Sequence, residues 1–373
     1  RWIWDENGDN TEVQALTLEG KPDDTWSLAL VAALGYREGE TVLPAGVARV
    51  RCRFDERGNQ TEWVYFGVDG EPVQELLQRH YIEAIRQVAL RLRDLPNVVG
   101  YDTMNEPLSG YIGWPDLTAT RGLIKVGEVP TPYQSMLLGA GFPQDVAFWE
   151  ARPTGTRRVG TRRVNPQGVR AWREGCDCVW RANGVWDLDG DGRPRLLRPD
   201  HFAQVGGRPV DFSRDYYRPF ANRFAQTIRA VDPEALIFIE TEVGHTPLRW
   251  GAADAQRIVF APHWYDVFVL FFKDYNPLVA LDYEGHLIVG PGRIRRSFAD
   301  QLARFQRQAA EQLGGVPTLI GEFGIAFDLK GGAAYRTGDY RTHEAALDRS
   351  LRAMDDNLLS WTLWNYTADN SHR

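Results

Sequence analysis

From Pro72 onward the chain alternates between helix-period stretches and short apolar runs, and three of those runs end in polar side chains fit for chemistry. Residues 73–95 place Leu76, Leu77, Ile82, Ile85, Val88, Leu90 and Leu92 at helical spacing between charged positions. Residues 97–104 form a short, mostly apolar run of the kind that a strand buried in a parallel sheet requires. It stops at Asn105-Glu106-Pro107, because proline has no N–H to give to a ladder. The same reading predicts a helix over 211–231, strands over 236–240 and 257–263, and a helix over 297–313. A strand over 318–321 then ends at Glu322, followed by a helix over 343–357 and a strand over 358–366. Repeated βα order implies a parallel sheet and an α/β protein.

The fold expected from this order is a (β/α)8 TIM barrel, in which the C-terminal strand ends share one mouth. Asn105-Glu106, His263 with Tyr265, and Glu322 would then converge although they are far apart in sequence. Two carboxylates facing each other across such a mouth are what glycoside hydrolysis requires. One must be protonated, to deliver a proton to the leaving oxygen, and the other charged, to attack the anomeric carbon. Glu106 is assigned the general acid/base role and Glu322 the nucleophile. Tyr265 is expected to donate to Glu322, and His263 to orient the pocket. Glu240 ends another strand and is read either as a ligand for a sugar hydroxyl or as half of a structural ion pair; Glu242 lies beside it. A single Glu after a strand is usually a solvated end; two, each closing a buried run several βα units apart, are harder to dismiss.

Composition removes other classes. The net charge is −7 and no Lys/Arg-rich run is present, which argues against a nucleic-acid partner. No stretch approaches the roughly 18 apolar residues of a membrane span, so membrane contact is expected only at the surface, through a lipid substrate. Cys52, Cys176 and Cys178 lack the spacing of a zinc site, and no metal or organic cofactor is expected. Thirteen Trp residues offer flat faces for stacking on sugars, although filling a large core is the plainer reading.

A resemblance extends over residues 60–373. Tyr101-Asp-Thr-Met-Asn-Glu-Pro107 resembles the acid/base motif of family 5 glycoside hydrolases, and Leu319-Ile-Gly-Glu-Phe-Gly324 their nucleophile motif. Pro262-His-Trp-Tyr265 is similar to their His-x-Tyr strand, and Ser360-Trp-Thr-Leu-Trp-Asn365 to their last strand. The resemblance implies that Trp364 floors the sugar pocket and that Asn105 hydrogen-bonds the sugar 2-hydroxyl. Gly110-Tyr-Ile-Gly113, Leu138-Gly-Ala-Gly-Phe-Pro143, Gly184-Val-Trp-Asp187 and Asp211-Phe-Ser-Arg-Asp-Tyr-Tyr217 narrow it further. They resemble the branch of endoglycoceramidases and fungal glucosylceramidases and steryl glucosidases. The implied activity is a retaining β-glycosidase acting on β-glucosides with an apolar aglycone, such as ceramide or a sterol. The alternatives are an endo-acting glycosidase or β-1,4-glucanase and, from another class, a non-catalytic sugar- or lipid-binding remnant. The family's earlier Arg and His strand-end motifs are not found before residue 97, where His80 is the sole histidine and falls in a predicted helix. The first barrel strands and a C-terminal β-sandwich are therefore expected to lie outside this chain, and localisation is unassigned.

Two regions resist the pattern. Residues 1–72 form an unassigned N-terminal segment before a catalytic domain at 73–373, with possible strands at 47–54 and 62–68. Residues 108–210 are too long and too rich in Gly, Pro, Arg and Trp for an idle connection, and are read as a lid or binding wall. Within them Asp187-Leu-Asp-Gly-Asp-Gly192 looks like the start of a calcium loop, but Arg198 stands where a bidentate Glu is needed, so a hairpin turn is expected. Trp114 and Trp186 are read as core rather than aglycone platforms. Gly290-Pro-Gly292 is read as a turn.

Overall fold

The computed structural model describes the backbone of residues 2–4, 10–14, 49–54, 60–66 and 73–365, apart from 123–124, 153–154, 174–175, 243–244, 246 and 248. Side chains are described from residue 78 onward, Ala151 aside. Strands β1 (Trp2–Trp4), β2 (Asn10–Gln14), β3 (Arg49–Phe54) and β4 (Gln60–Phe66) pair antiparallel in chain order. The last two coincide with the strands expected there; the turn at 55–58 lies outside the described residues.

Helix α1 (Val73–Leu92) forms where its period predicts, but the buried face differs from the stripe read there. Ile82 and Ala89 are buried, Ile85 is partly buried and Val88 is exposed, while the side chains of Leu76 and Leu77 lie outside the described residues. It leads to β5 (Gly100–Asp102), shorter than the apolar run that announced it. The following insertion makes an antiparallel sheet from β6 (Gly127–Val129), β7 (Gln144–Arg152) and β8 (Gly155–Val164), with α2 (Pro132–Gly139) between the first two. A short helix α3 (Val179–Ala182) and two hairpins follow: β9 (Trp186–Leu188) with β10 (Pro194–Leu196), and β11 (Gln204–Val205) with β12 (Arg208–Pro209). The insertion has its own core, in which Leu117, Met136, Leu137, Cys178, Val185 and Trp186 are buried. Trp186 is thus packing, and Trp114 meets Tyr111 edge-on. The Asp-Gly loop is the expected hairpin turn: Asp189 Oδ1 accepts from the N–H groups of Asp191 and Arg193, each at 2.9 Å.

After a π-helical turn at Ser213–Tyr217 come α4 (Arg218–Arg229), β13 (Leu236–Ile239) and β14 (Ile258–Phe260). Then follow α5 (Val267–Phe272), the hairpin β15 (Val279–Leu281) and β16 (Leu287–Val289), α6 (Pro291–Gln312) and β17 (Leu319–Phe323). Helices α7 (Leu329–Thr337) and α8 (Arg341–Asp356) precede β18 (Ser360–Leu363). Strand β13 pairs in parallel with β5 on one side and β14 on the other. Parallel bridges Phe260↔Thr318 and His263↔Glu322 join β14 to β17, which pairs in parallel with β18. The spatial order β5–β13–β14–β17–β18 is the chain order, and these five strands run parallel, so this is an α/β protein. Gly100 is required here: a Cβ on it would stand 2.0 Å from the Leu236 carbonyl oxygen, so β13 approaches β5 only because the side chain is missing.

Two apolar clusters hold helices to this sheet. Ile82, Phe220, Phe224 and Ile228 of α1 and α4 pack with Tyr101, Ile237, Ile258 and Phe260. Ile294, Phe298 and Leu302 of α6 and Met354 of α8 pack with Trp264, Ile320 and Phe323. Burying each large side chain contributes roughly 1.5–3 kcal/mol, which makes these clusters the main stabilising force.

Several elements differ from expectation. Helix α6 starts at Pro291, six residues early, because Gly290 turns the chain at φ 99° and proline suits the first helical position. The expected turn at Gly290-Pro-Gly292 is thus a helix start. Helix α5 and the β15–β16 hairpin were not foreseen, since a six-residue apolar run has no readable period. Asp266 makes α5 possible. Its Oδ1 accepts from the N–H groups of Phe268 (3.0 Å) and Val269 (3.2 Å), and its Oδ2 pairs with Arg349 of α8. Arg349 also donates to the Asn276 carbonyl at 2.9 Å and lies over the Tyr275 ring. Asp266→Ala removes a helix cap and leaves a buried guanidinium without its carboxylate. It should lower stability by about 3–5 kcal/mol, read from denaturant unfolding; a loss below 1 kcal/mol would contradict this role.

Candidate active site

Strand alternation sorts the residues that follow β14. His263 and Tyr265 face one way, while Trp264 faces the other and is fully buried against Phe298, its Nε1–H donating to Gln301 Oε1 at 3.2 Å. The parallel bridge sets His263 opposite Glu322, and Trp264 N–H donates to the Glu322 carbonyl at 2.9 Å. Register alone therefore brings the imidazole, the phenol and one carboxylate to a single strand-end layer. The Tyr265 hydroxyl donates to Glu322 Oε1. Burial pushes the Tyr265 hydroxyl well above its ordinary pKa, and the Glu322 charge pushes it the same way, so it stays a donor.

Glu106 arrives from the other side, from the loop after β5. Its backbone is left-handed at φ 42°, an uncommon conformation for a side-chain-bearing residue and one found disproportionately at functional sites. The Glu106 N–H donates to Glu240 Oε2 at 2.8 Å, which holds the chain in that turn. Its carboxylate Oε1 lies 3.0 Å from His263 Nδ1. The same nitrogen is 3.6 Å from Glu322 Oε2, and His263 Nε2 is 3.2 Å from Glu240 Oε1. Ligand-type atoms of Glu106, His263 and Glu322 all lie within 4.8 Å of one another. Exposure grades through the cluster: the Glu240 side chain is 4% exposed, His263 6%, Glu322 15% and Glu106 40%. The two most buried members, Glu240 and His263, are those that hold the others; Glu106 is the most open to solvent.

Electrostatics follow from this packing. Burial alone would push the His263 pKa down. Hydrogen bonds to Glu240 and Glu106, and the charges of Glu240 and Glu322, outweigh burial and raise it to about 9. The imidazole is therefore a cation at neutral pH, donating from both nitrogens. Asp102 ends β5 with Met104 N–H donating to it at 2.9 Å. Although one side of Asp102 is open to solvent, the surrounding protein and the Glu240 charge push its carboxyl up to about 7. A second trio, Asp282, Glu284 and His286 in the β15–β16 turn, also has closely spaced ligand-type atoms, but His286 and the turn backbone already use Asp282.

All seven residues singled out from sequence are described. Glu106, Glu240, His263, Tyr265 and Glu322 meet in one network. Asn105 is exposed at the strand end beside Glu106. Trp364 follows β18, with its N–H on the Phe323 carbonyl at 2.7 Å and its side chain directed outward, the residue being 57% exposed. Gly324 permits that approach, since a Cβ there would stand 2.0 Å from the Trp364 carbonyl oxygen. Sequence reasoning missed the supporting tyrosines. Tyr283 donates to the His263 carbonyl at 3.0 Å, and the Tyr217 hydroxyl accepts from Glu240 N–H at 3.1 Å and bonds Thr103 Oγ1 at 2.9 Å. Tyr283 sits in the unforeseen hairpin and carried no signal; Tyr217 lay in the expected helix and in the Asp211–Tyr217 segment, neither of which disclosed its bond to Glu240. Glu242 has a separate task, accepting from Ser109 Oγ at 2.6 Å.

Comparison with known proteins places this geometry. Residues 203–370 match the family model described as cellulase (glycosyl hydrolase family 5). A glucosylceramidase of Rhizopus delemar is 32% identical over 317 residues, covering 81% of this chain and 46% of that protein. An ergosteryl-beta-glucosidase of Saccharomyces cerevisiae is 30% identical over 350 residues, covering 82% of this chain and 45% of that protein. The crystal structure of Cryptococcus neoformans sterylglucosidase 1 superposes with a TM-score of 0.75 at 31% identity, covering 82% of this chain and 48% of that one. The chain thus spans about half the length of the relatives it matches. Motif, strand register and kinship agree: the chain belongs to glycoside hydrolase family 5.

Proposed function

We propose that this protein is a retaining β-glycosidase of the double-displacement type, with Glu322 as nucleophile and Glu106 as general acid/base. The observation that carries the reading is the close approach of these two carboxylates, an oxygen of one lying within 4.8 Å of an oxygen of the other, beyond the C-terminal ends of parallel strands. Inverting chemistry needs roughly 6.5–9.5 Å, to leave room for a water between the groups; retaining chemistry needs about 5–5.5 Å. Glu322 attacks the anomeric carbon while the proton from Glu106 goes to the departing oxygen. Water then displaces Glu322 and returns a proton to Glu106. The His263 cation and the Tyr265 hydroxyl face the two carboxylates and stabilise negative charge on them as it shifts. To Asn105 and Trp364 we assign the roles that the family motifs imply, a hydrogen bond to the sugar 2-hydroxyl and stacking on the ring.

The scaffold that suits this chemistry is the (β/α)8 barrel, and strands added in unbroken chain order are its pattern. The proposed substrate is a β-glucoside with a large apolar aglycone, ceramide or sterol in type. The names of the relatives support this, as does the insertion with its separate aromatic core beside the Glu106 loop. No helix among the described residues is long and apolar enough to cross a membrane, so a lipid substrate would be met at the membrane surface.

Glu322→Gln should reduce turnover at least 10⁴-fold, roughly the scale of a lost nucleophile; residual activity within tenfold of wild type would sink the assignment. Glu106→Ala should keep activity on 2,4-dinitrophenyl β-glucoside and gain further rate from azide, with β-glucosyl azide as product; absence of rescue would count against the acid/base role. Incubation with glucosylceramide, steryl glucoside and soluble β-1,4-glucan should release glucose from the first two only. Whole oligosaccharides released from longer glycolipids would point to endo action instead.

A pH dependence also follows. The folded-state pKa of His263 is raised from 6.5 to about 9, so its stabilising contribution is complete below 6.5 and disappears as pH climbs through about 9. Over that interval the wild-type unfolding midpoint should fall further than that of His263→Asn; parallel falls would contradict it.

A further inference from the structure

We infer that Glu240 is the positioning residue of the acid/base half-site, fixing both the backbone of Glu106 and the nitrogen of His263 that shares a proton with it. The inference rests on Glu106 being the acid/base. Both Glu240 oxygens are in use: Oε2 accepts the Glu106 N–H at 2.8 Å, and Oε1 faces His263 Nε2 at 3.2 Å. The side chain is 4% exposed, and its own N–H is bound to the Tyr217 hydroxyl. Each oxygen thus already has a protein partner and the side chain is almost wholly buried, so its position at a strand end serves the protein first.

That purpose follows from which nitrogen it occupies. A carboxylate at Nε2 keeps a proton on that atom in every state of the ring. Exchange is then confined to Nδ1, 3.0 Å from Glu106 Oε1. One proton is held between these two atoms. It leaves to the departing oxygen in the first step, and the attacking water restores it in the second. The negative charge of Glu240 strengthens the hold of the pair on that proton. The same carboxylate keeps Glu106 in its left-handed turn, so position and proton affinity are set by one group.

The other ionisable groups around His263 are Glu322 on the same nitrogen, Tyr265 on its own strand end, Tyr283 on its carbonyl, and Asp102 on β5. His245, Glu284 and Arg304 line the cavity of about 180 Å³ that Glu240 and His263 also border. Of these, only Glu240 and Glu106 bond the ring nitrogens within 3.2 Å.

The test is the pH profile of kcat/KM for Glu240→Gln, run beside Glu240→Asp on two aryl β-glucosides. Glu240→Gln should move the alkaline limb down by at least one pH unit. It should also slow a poor leaving group, phenol, about tenfold or more above that limb, while 2,4-dinitrophenol, which needs no acid, changes less than threefold. Glu240→Asp, which keeps the charge, should hold the limb within half a unit. An unmoved limb in Glu240→Gln, or equal losses on both leaving groups, would reduce Glu240 to a structural role. If Glu240→Gln does not fold, ¹⁵N-histidine NMR of the wild type decides. Above pH 9, once the ring is neutral, a proton that stays on Nε2 supports the inference, and a neutral ring with its proton on Nδ1 overturns it. Failure of azide rescue in Glu106→Ala would instead remove the acid/base reading on which the inference stands, and the two failures are separable.

Discussion

Everything at the candidate site depends on one pairing: the parallel bridge that sets His263 opposite Glu322. Strand neighbours are locked by backbone hydrogen bonds, and a slip of one residue would turn His263 and Tyr265 toward the helices and Trp264 toward the carboxylates. Fully buried Trp264 resists that slip, since its ring is packed against Phe298 on the helix side. The core thus enforces the register, and the register assembles the site. Gly100 extends the same control to β5 by letting β13 come close enough to carry Glu240 beneath Glu106.

The cluster so formed holds three carboxylates around one imidazole. Like charges this close repel, and an uncompensated group of this kind would favour protonation or local opening. The imidazolium is the compensation. It lies between Glu106, Glu240 and Glu322, and each of them helps to raise its proton affinity against the effect of burial. A neutral ring would leave the carboxylates facing one another. Tyr265 and Tyr283 add donors without adding charge. This arrangement gives the loop after β5 a reason to adopt a conformation that sterics disfavour.

Much of this was legible from sequence, and the reason is specific. Strands buried in a parallel sheet must be apolar along their length, so Asn105-Glu106, His263 and Glu322 stood out as polar ends of apolar runs. Helices α1, α4 and α8 were readable because each buries one stripe against that sheet. What escaped were features set by tertiary contact. The six apolar residues of α5 have no period, and only the capping of Asp266 and its bond to Arg349 make them a helix. Tyr283 and Tyr217 reach the site from outside the strand ends, so strand logic could not find them. Glu240 was found, but its strand-end position did not disclose that both oxygens point at protein rather than at a sugar site.

The central claim is that two strand-end carboxylates, held at short separation, carry out two successive displacements. Proton NMR of the sugar released from an aryl β-glucoside tests it most directly, if spectra are taken before mutarotation scrambles the anomers. The account predicts that the β-anomer appears first. First appearance of the α-anomer would mean a single inverting displacement and would contradict it.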